Sequence, residues 1–482
     1  MAVLIDKILC FIVIYDSNIH PCQIQSKYIF MSSDYTRNYE LESDFRNIWH
    51  PCTQVREHES APLLLIEKGD GVYLIDRDGK RYIDVISSWW VNLFGHNHPR
   101  LNKALKDQLG QMAHVMFAGI THSPAINLAE SLVKLTPSNL TKVFFSDNGS
   151  TSVEIALKMS LQYWKQVGEN QRTKFVYLSG SYHGETLGAL SVCGINLFRE
   201  KFENVLMENL EVQGPDCYRC PYDLKPESCK AECFEHLEKV LEKNRGSVAG
   251  VIVEPLVQGA SGMKMYSPVY LEKLQEACED YEVHTIYDEI AVGFGRTGSL
   301  FVCDSHGLNP TFLCLSKGIT SGYLPLAVTL TSDQIYQAFY GEPASMNLFV
   351  HSHSYSANPL ACACANETLS LLTKNNFLEN LKPKIKFLEE AGGSLSEMKW
   401  CGEFRQRGMI AAIELVQDKL SKDAFPLKDR VGYKVYLEGL KRGVFMRPLG
   451  DVIYFIPPLI ITNEEIEIMM NAAFESIEAV LG

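Results

Sequence analysis

The run VHTIYDEIAVGFGRTGSLFVCDSHGLNPTFLCLSKGITSG, residues 283–322, decides how this chain is read. Two short apolar stretches in it, VHTIYD and FLCLSK, are β-branched and aromatic and are bounded by turn residues, which predicts two strands. The first ends on Asp288 and the second on Lys317, with a glycine-bearing loop behind. A lysine closing an apolar run is costly unless it is paired, chemically used or turned out to solvent. Strand ends on one edge of a parallel sheet converge on one crevice, so the acid and the lysine are expected to share it. A purely structural ion pair satisfies the same spacing.

Working outward, further apolar runs alternate with helical patterns: KVFFS, KFVYL and VAGVIVEP each precede one. That rhythm predicts an α/β fold with a mainly parallel sheet covered by helices. The helix after KVFFS is the clearest, with Val153, Ala156, Leu157, Leu161 and Trp164 on one stripe. Upstream, GVYLIDRDGKRYIDV predicts a hairpin turning at Asp78-Gly79. Beyond about residue 400 the units shorten to MIAAIEL, GVFM and VIYFIP, which suggests a smaller α+β domain.

Paired at a crevice, Lys317 and Asp288 suit pyridoxal phosphate. The lysine condenses with the cofactor's aldehyde, and the acid keeps the pyridine nitrogen protonated so that the ring withdraws electrons. The cofactor's phosphate needs an anion site, and the helix start in SDNGST, at Gly149 and Ser150, offers backbone N–H groups and hydroxyls. Ordinary capping by Asp147 or Ser150 explains the same residues. Tyr182, in SGSYHGET, follows a strand and has a ring suited to a flat cofactor, although a core tyrosine is the simpler reading. Arg447, in VFMRPLG, is a fork-shaped donor matched to a substrate carboxylate or to a surface acid.

Other features exclude or stay neutral. GFGRTG has the dinucleotide spacing, but no amphipathic helix opens from it, so a Rossmann site is rejected. Cys217, Cys220, Cys229 and Cys233 have metal-like spacing in a loop-like insertion, where a reduced cluster fits equally, and no metal is assigned. The chain of 482 residues carries 45 lysines and arginines against 58 acids, a net charge of −13, which disfavours nucleic acid and anionic membranes. Its longest apolar run, Ile8 to Tyr15, is too short to span a bilayer, for which roughly 20 residues are needed. Scattered cysteines such as Cys193, Cys314, Cys362 and Cys364 suit a reducing, cytoplasmic setting. The first thirty residues are a poor secretory signal; they read as a targeting segment or as an upstream start preceding Met31.

With IWHPCTQ, SSWWVNLFGHNHP, HVMFAGITHSPA, EPLVQGASGMKMY, DEIAVGFGRTG and RPLGDVIYFIPP in register, the chain from about residue 45 onward resembles the class III aminotransferases, pyridoxal-phosphate enzymes of fold type I. The resemblance is closest to the branch that aminates 8-amino-7-oxononanoate to 7,8-diaminononanoate in biotin synthesis. Another ω-aminotransferase, acting on ornithine or 4-aminobutyrate, is the alternative.

This resemblance implies a large domain with a seven-stranded sheet (91–365, with a cysteine-rich insertion at about 214–235). It also implies a small domain from 43–90 and 366–482, and an extension over 1–42. Lys317 matches the cofactor-linking lysine and Asp288 the pyridine-nitrogen partner. Gly149 and Ser150 match the phosphate site, with His353 and Ser354 reaching the phosphate from the other subunit of a homodimer. Trp89, Tyr182, Ser352, Arg447 and Tyr454 match the substrate site. Cys52 stands where the family usually has a tyrosine, and Ser352-His353-Ser354 replaces a glycine-proline-threonine run. The donor is accordingly S-adenosylmethionine or lysine.

Overall fold

A computed structural model describes residues 39–59, 63–224 and 229–482. The run Ile8 to Tyr15 and the proposed extension up to residue 38 lie outside the described residues. The described residues fall into two compact units, one ending at Leu65 and one from Ile66 to Gly482. In the first, a helix (Tyr39–Asn47) is followed by a short turn in which His50 Nε2 lies 2.8 Å from Asp44 Oδ1. Cys52, in this unit, is exposed and has a left-handed backbone, φ 48°.

The second unit opens with β1 (Ile66–Asp70), β2 (Tyr73–Asp76) and β3 (Arg81–Asp84). β2 and β3 are the hairpin expected at Asp78-Gly79; Gly79 takes φ 80°, a conformation open to glycine, and Asp76 Oδ1 accepts from Asp78 N and Lys80 N.

The central sheet contains β4 (Leu140–Ser146), β5 (Lys174–Leu178), β6 (Leu210–Val212) and β7 (Val248–Val253). A two-stranded ribbon, β8 (Val257–Gln258) and β9 (Lys264–Met265), intervenes before β10 (His284–Asp288), β11 (Phe312–Leu315) and β12 (Ala327–Ser332). The order is β4-β12-β11-β10-β7-β5-β6, and β12 alone runs against the others. The sheet is therefore seven-stranded and mainly parallel. β7 and β10 are buried along their whole length, as expected of strands covered on both faces.

The C-terminal part supplies β13 (Cys401–Arg407), β14 (Ile410–Leu415), β15 (Val444–Phe445) and β16 (Val452–Phe455). β13, β14 and β16 make an antiparallel sheet. β15 instead pairs in parallel with β3, joining Val444 to Ile83 and Phe445 to Asp84. This pairing ties residues 81–90 to 444–447, and both segments carry candidate substrate residues.

Candidate active site

β10 and β11 are parallel neighbours, so Asp288 at the end of one and Lys317 just beyond the other emerge on the same edge. They do not form an ion pair. Asp288 Oδ2 accepts from His183 Nδ1 at 2.8 Å, and its Oδ1 accepts from Ile290 N at 3.0 Å. His183 is buried and its Nε2 has no partner. The Lys317 amine lies 4.9 Å from the centre of the Trp90 ring, and its backbone takes φ 44°. Desolvation pulls its pKa below the usual lysine value, against the opposing pull of Asp288 and Glu254. Glu254, fully enclosed, accepts from Tyr182 N and Gly259 N at 2.9 Å each, and burial pushes its carboxyl up to about 7.

At the other end, the helix Gly149–Gln166 starts directly after β4. Its cap is neither Asp147 nor Ser150 but Asn148, whose side chain accepts from Thr151 N at 3.1 Å. The asparagine is favoured because its Oδ1 reaches forward while Thr151 Oγ1 reaches back toward the Asn148 N–H, closing a reciprocal box. The first-turn N–H groups of Gly149 and Ser150 have no intrahelical acceptor, as at any helix start. Ser150 Oγ lies 2.7 Å from Thr186 Oγ1, bringing the loop after Tyr182 onto this helix. Gly184 permits the approach: it has φ 117°, and a Cβ there would come within 2.4 Å of Ser150 Oγ. The expected stripe is buried at Val153, Ala156, Leu157 and Trp164. Leu161 is half-buried, and Ile155, Met159 and Tyr163 are also covered, so the helix is enclosed on several sides.

The candidate substrate residues fall into two groups. Trp89, Trp90, Arg447, Tyr454 and Lys317 come together. The Arg447 guanidinium is 5.4 Å from the centre of the Trp89 ring, and Trp90 meets Tyr454 edge-on at 6.0 Å. Burial lifts the Tyr454 hydroxyl to about 12. Tyr182 lies on the loop leading to His183, its hydroxyl donating to Glu185 at 2.9 Å and its ring against Phe198. The second group is the loop Ser352–Ser354. His353 Nδ1 sits 3.2 Å from Asp147 Oδ2, beside the start of the helix Gly149–Gln166, and the Ser354 carbonyl accepts from His114.

Trp89 and Trp90 are held in an unusual backbone. Ser87, Ser88, Trp89 and Trp90 all have positive φ, at 50°, 47°, 73° and 73°, and form a single left-handed helical turn with no glycine in it. Each such residue costs roughly 1–2 kcal/mol, so the surroundings must over-determine the turn. Arg296, from the rejected GFGRTG motif, explains part of this. It is fully buried, with burial drawing its pKa down to about 9, and donates to the carbonyls of Asn92 and Pro457. Its role is to tie the turn to the segment after β16.

Of these groups, residue patterns alone missed His183, Glu254 and Arg296. Among the described residues, no three or more His, Cys, Asp or Glu side chains converge as a metal site, the four clustered cysteines included. Burial lifts the Cys217 and Cys233 thiols to about 11, which keeps them protonated.

The fold, with a lysine and a histidine-bound aspartate at one edge of a mainly parallel sheet, defines an aminotransferase of fold type I. The aminotransferase class-III family pattern matches residues 54–477, and the chain belongs to that family. An adenosylmethionine-8-amino-7-oxononanoate aminotransferase of Geobacter sulfurreducens is 44% identical over 450 residues, covering 93% of this chain and 99% of that protein. The crystal structure of the enzyme so named from Methanocaldococcus jannaschii superposes with a TM-score of 0.87 at 40% identity, covering 92% of this chain and 99% of that one. An amine transaminase from an uncultivated Pseudomonas species, solved in its PLP-bound form, gives 0.85 at 32% identity, covering 90% and 99%.

Pyridoxal phosphate is the cofactor of this family, and the residues present fit it. Asp288 has acceptor capacity left after its two bonds, the Lys317 amine faces the Trp90 ring, and among the described residues His183 Nε2 is a buried nitrogen with no hydrogen-bond partner, beside the acid. Among the described residues no helix is long and apolar enough to cross a membrane.

Proposed function

We propose that this chain transfers an amino group to 8-amino-7-oxononanoate, yielding 7,8-diaminononanoate for biotin synthesis, with S-adenosylmethionine or lysine as donor. The observation that carries the reading is the line of side chains from Lys317 through Trp90 and Trp89 to Arg447, an amine and a carboxylate anchor separated by aromatic surface. That arrangement suits a substrate with a reacting carbonyl, an apolar chain and a distal carboxylate. The relatives that are 40–44% identical over most of the chain support the same substrate.

When bound, pyridoxal phosphate supplies an aldehyde for the donor's amino group and a ring that withdraws electrons from the adjacent carbon. Asp288 would stabilise a proton on the ring nitrogen, and His183 orients the carboxylate through Nδ1. Lys317, its pKa lowered, supplies a free amine that moves the proton at the substrate carbon. Gly149, Ser150 and Thr186 would hold the phosphate, and Tyr182 would supply aromatic surface to the ring. Arg447 binds the distal carboxylate bidentately, while Trp89, Trp90 and Tyr454 exclude water along the chain.

Ser352, His353 and Ser354 complete the phosphate and donor site of the partner in a cytoplasmic homodimer. The purified enzyme, supplied with each donor, is expected to produce 7,8-diaminononanoate, measured by mass spectrometry. Product only from ornithine or 4-aminobutyrate as amino donor to a simple oxo acid would favour the other ω-aminotransferase reading.

A further inference from the structure

The left-handed turn Ser87–Trp90 needs a reason to exist, and its hydrogen bonds supply one. Asp84, the last residue of β3, is fully buried, and both its oxygens are spent on the turn and its surroundings. Oδ1 accepts from Ser88 N at 2.9 Å; Oδ2 accepts from Ser88 Oγ at 2.6 Å and from His96 Nε2 at 3.0 Å. His96 Nδ1 then faces the Asn92 amide at 3.3 Å, so one neutral tautomer satisfies both ring nitrogens. His96 is itself fixed to the hairpin, exchanging backbone bonds with Gly71, and a Cβ on Gly69 would collide with its ring. On the far side Ser87 Oγ donates to the Ile456 carbonyl at 2.6 Å.

What the turn displays is Trp89. This residue is 46% exposed, so it contributes little to the core, and among the described residues its cation–ring contact is with Arg447. Ser88 is likewise exposed, yet two of the three bonds to Asp84 come from it. A buried carboxyl is thus committed to fixing an exposed dipeptide, which core packing does not require.

We propose that Asp84 and His96 are positioning residues for substrate specificity: they hold the left-handed turn so that Trp89 lies against Arg447 and shapes the seat for the acceptor's distal carboxylate. The inference rests on the carboxylate role given to Arg447 above. It assigns to the end of β3 a part in recognising the acceptor and none in handling the donor.

The test uses the holoenzyme and separates the two half-reactions. Asp84→Asn keeps the shape but gives up one acceptor, and is expected to raise KM for 8-amino-7-oxononanoate about 10-fold while the donor half-reaction stays within about 2-fold. Adding Ser88→Gly to that variant is expected to bring the KM back to within about 3-fold of wild type, because glycine takes positive φ without the carboxylate's support. Titration with nonanoate, followed by tryptophan fluorescence, provides a reading independent of turnover: Asp84→Asn should weaken it about 10-fold and the double variant should restore it.

An unchanged acceptor KM, equal slowing of both half-reactions, or failure of Ser88→Gly to rescue would overturn the proposal. If Asp84→Asn does not fold, His96→Gln, at a partly exposed site, serves instead; it should raise the same KM in the same direction, and no rise would overturn the proposal. Arg447→Ala distinguishes the levels. If it leaves acceptor KM and nonanoate binding intact, the carboxylate reading fails and this inference with it. If it abolishes both while Asp84→Asn changes neither, this inference alone fails.

Discussion

Lys317 stands just past β11 with its amine over Trp90 and its pKa lowered, because desolvation outweighs Asp288 and Glu254. Lys317→Ala is expected to reduce turnover by at least about 10³-fold in a single-turnover assay, whereas a loss below tenfold would mean another group moves the proton. Glu254 makes a prediction about stability. Its carboxyl is raised from 4.5 to about 7, so the folded state binds the extra proton in that window. The contribution is fully present below pH 4.5 and is lost as pH rises through about 7. Relative to Glu254→Gln, the wild type should therefore lose stability between those values, on the order of 3 kcal/mol. Denaturant unfolding across pH measures this, and parallel curves would contradict it. Lysine and aspartate were legible because each closes an apolar strand. His183 and Glu254 were not, since a histidine in a polar loop and a glutamate after a strand look solvent-facing until the sheet places residue 183 beside residue 288.

Among the elements, the loop after Tyr182 and the helix Gly149–Gln166 meet where no side chain fits at Gly184. Gly184→Ala combines a collision with Ser150 and a strained φ of 117°, and is expected to cost about 2 kcal/mol or more. Cofactor affinity should fall with it, as measured by the pyridoxal phosphate concentration needed to restore activity to the stripped protein. Wild-type affinity in the variant would separate this loop from the phosphate site. Removing the cap with Asn148→Ala is a milder change, about 1 kcal/mol, read as a lowered denaturation midpoint. The strands ending on Asp288 and preceding Lys317 were legible from their apolar runs. β12 was not, because AVTLTS follows the lysine loop and nothing local marks it as running against its neighbours. The turn at Ser87–Trp90 was equally hidden: SSWW contains no glycine or asparagine to announce positive φ, and long-range contacts through Asp84, Arg296, Ile456 and the pairing of β3 with β15 enforce it.

For the whole molecule, the smaller sheets show why length and composition reveal so little about the site. GVFM reads as one more strand of a C-terminal domain, yet β15 pairs with β3 from residues some 360 positions earlier, and Arg447 reaches Trp89 as a result. Long-range pairing of this kind leaves no trace in periodicity; the candidate substrate residues were proposed from the family resemblance of the quoted runs. The proposed homodimer makes a mass prediction. Sedimentation should give about twice the 54.3 kDa of one chain, and a monomer that retains full activity would contradict the shared site.

The central claim, an amino group carried from donor to 8-amino-7-oxononanoate at Lys317, is tested most directly by one spectrophotometric experiment on cofactor-loaded enzyme. S-adenosylmethionine or lysine is added first to convert the cofactor to its pyridoxamine form, and 8-amino-7-oxononanoate is added second. One donor is expected to convert the spectrum, the oxononanoate to restore the pyridoxal form with formation of 7,8-diaminononanoate, and Lys317→Ala to complete neither step. Restoration by a simple oxo acid but not by 8-amino-7-oxononanoate would contradict it.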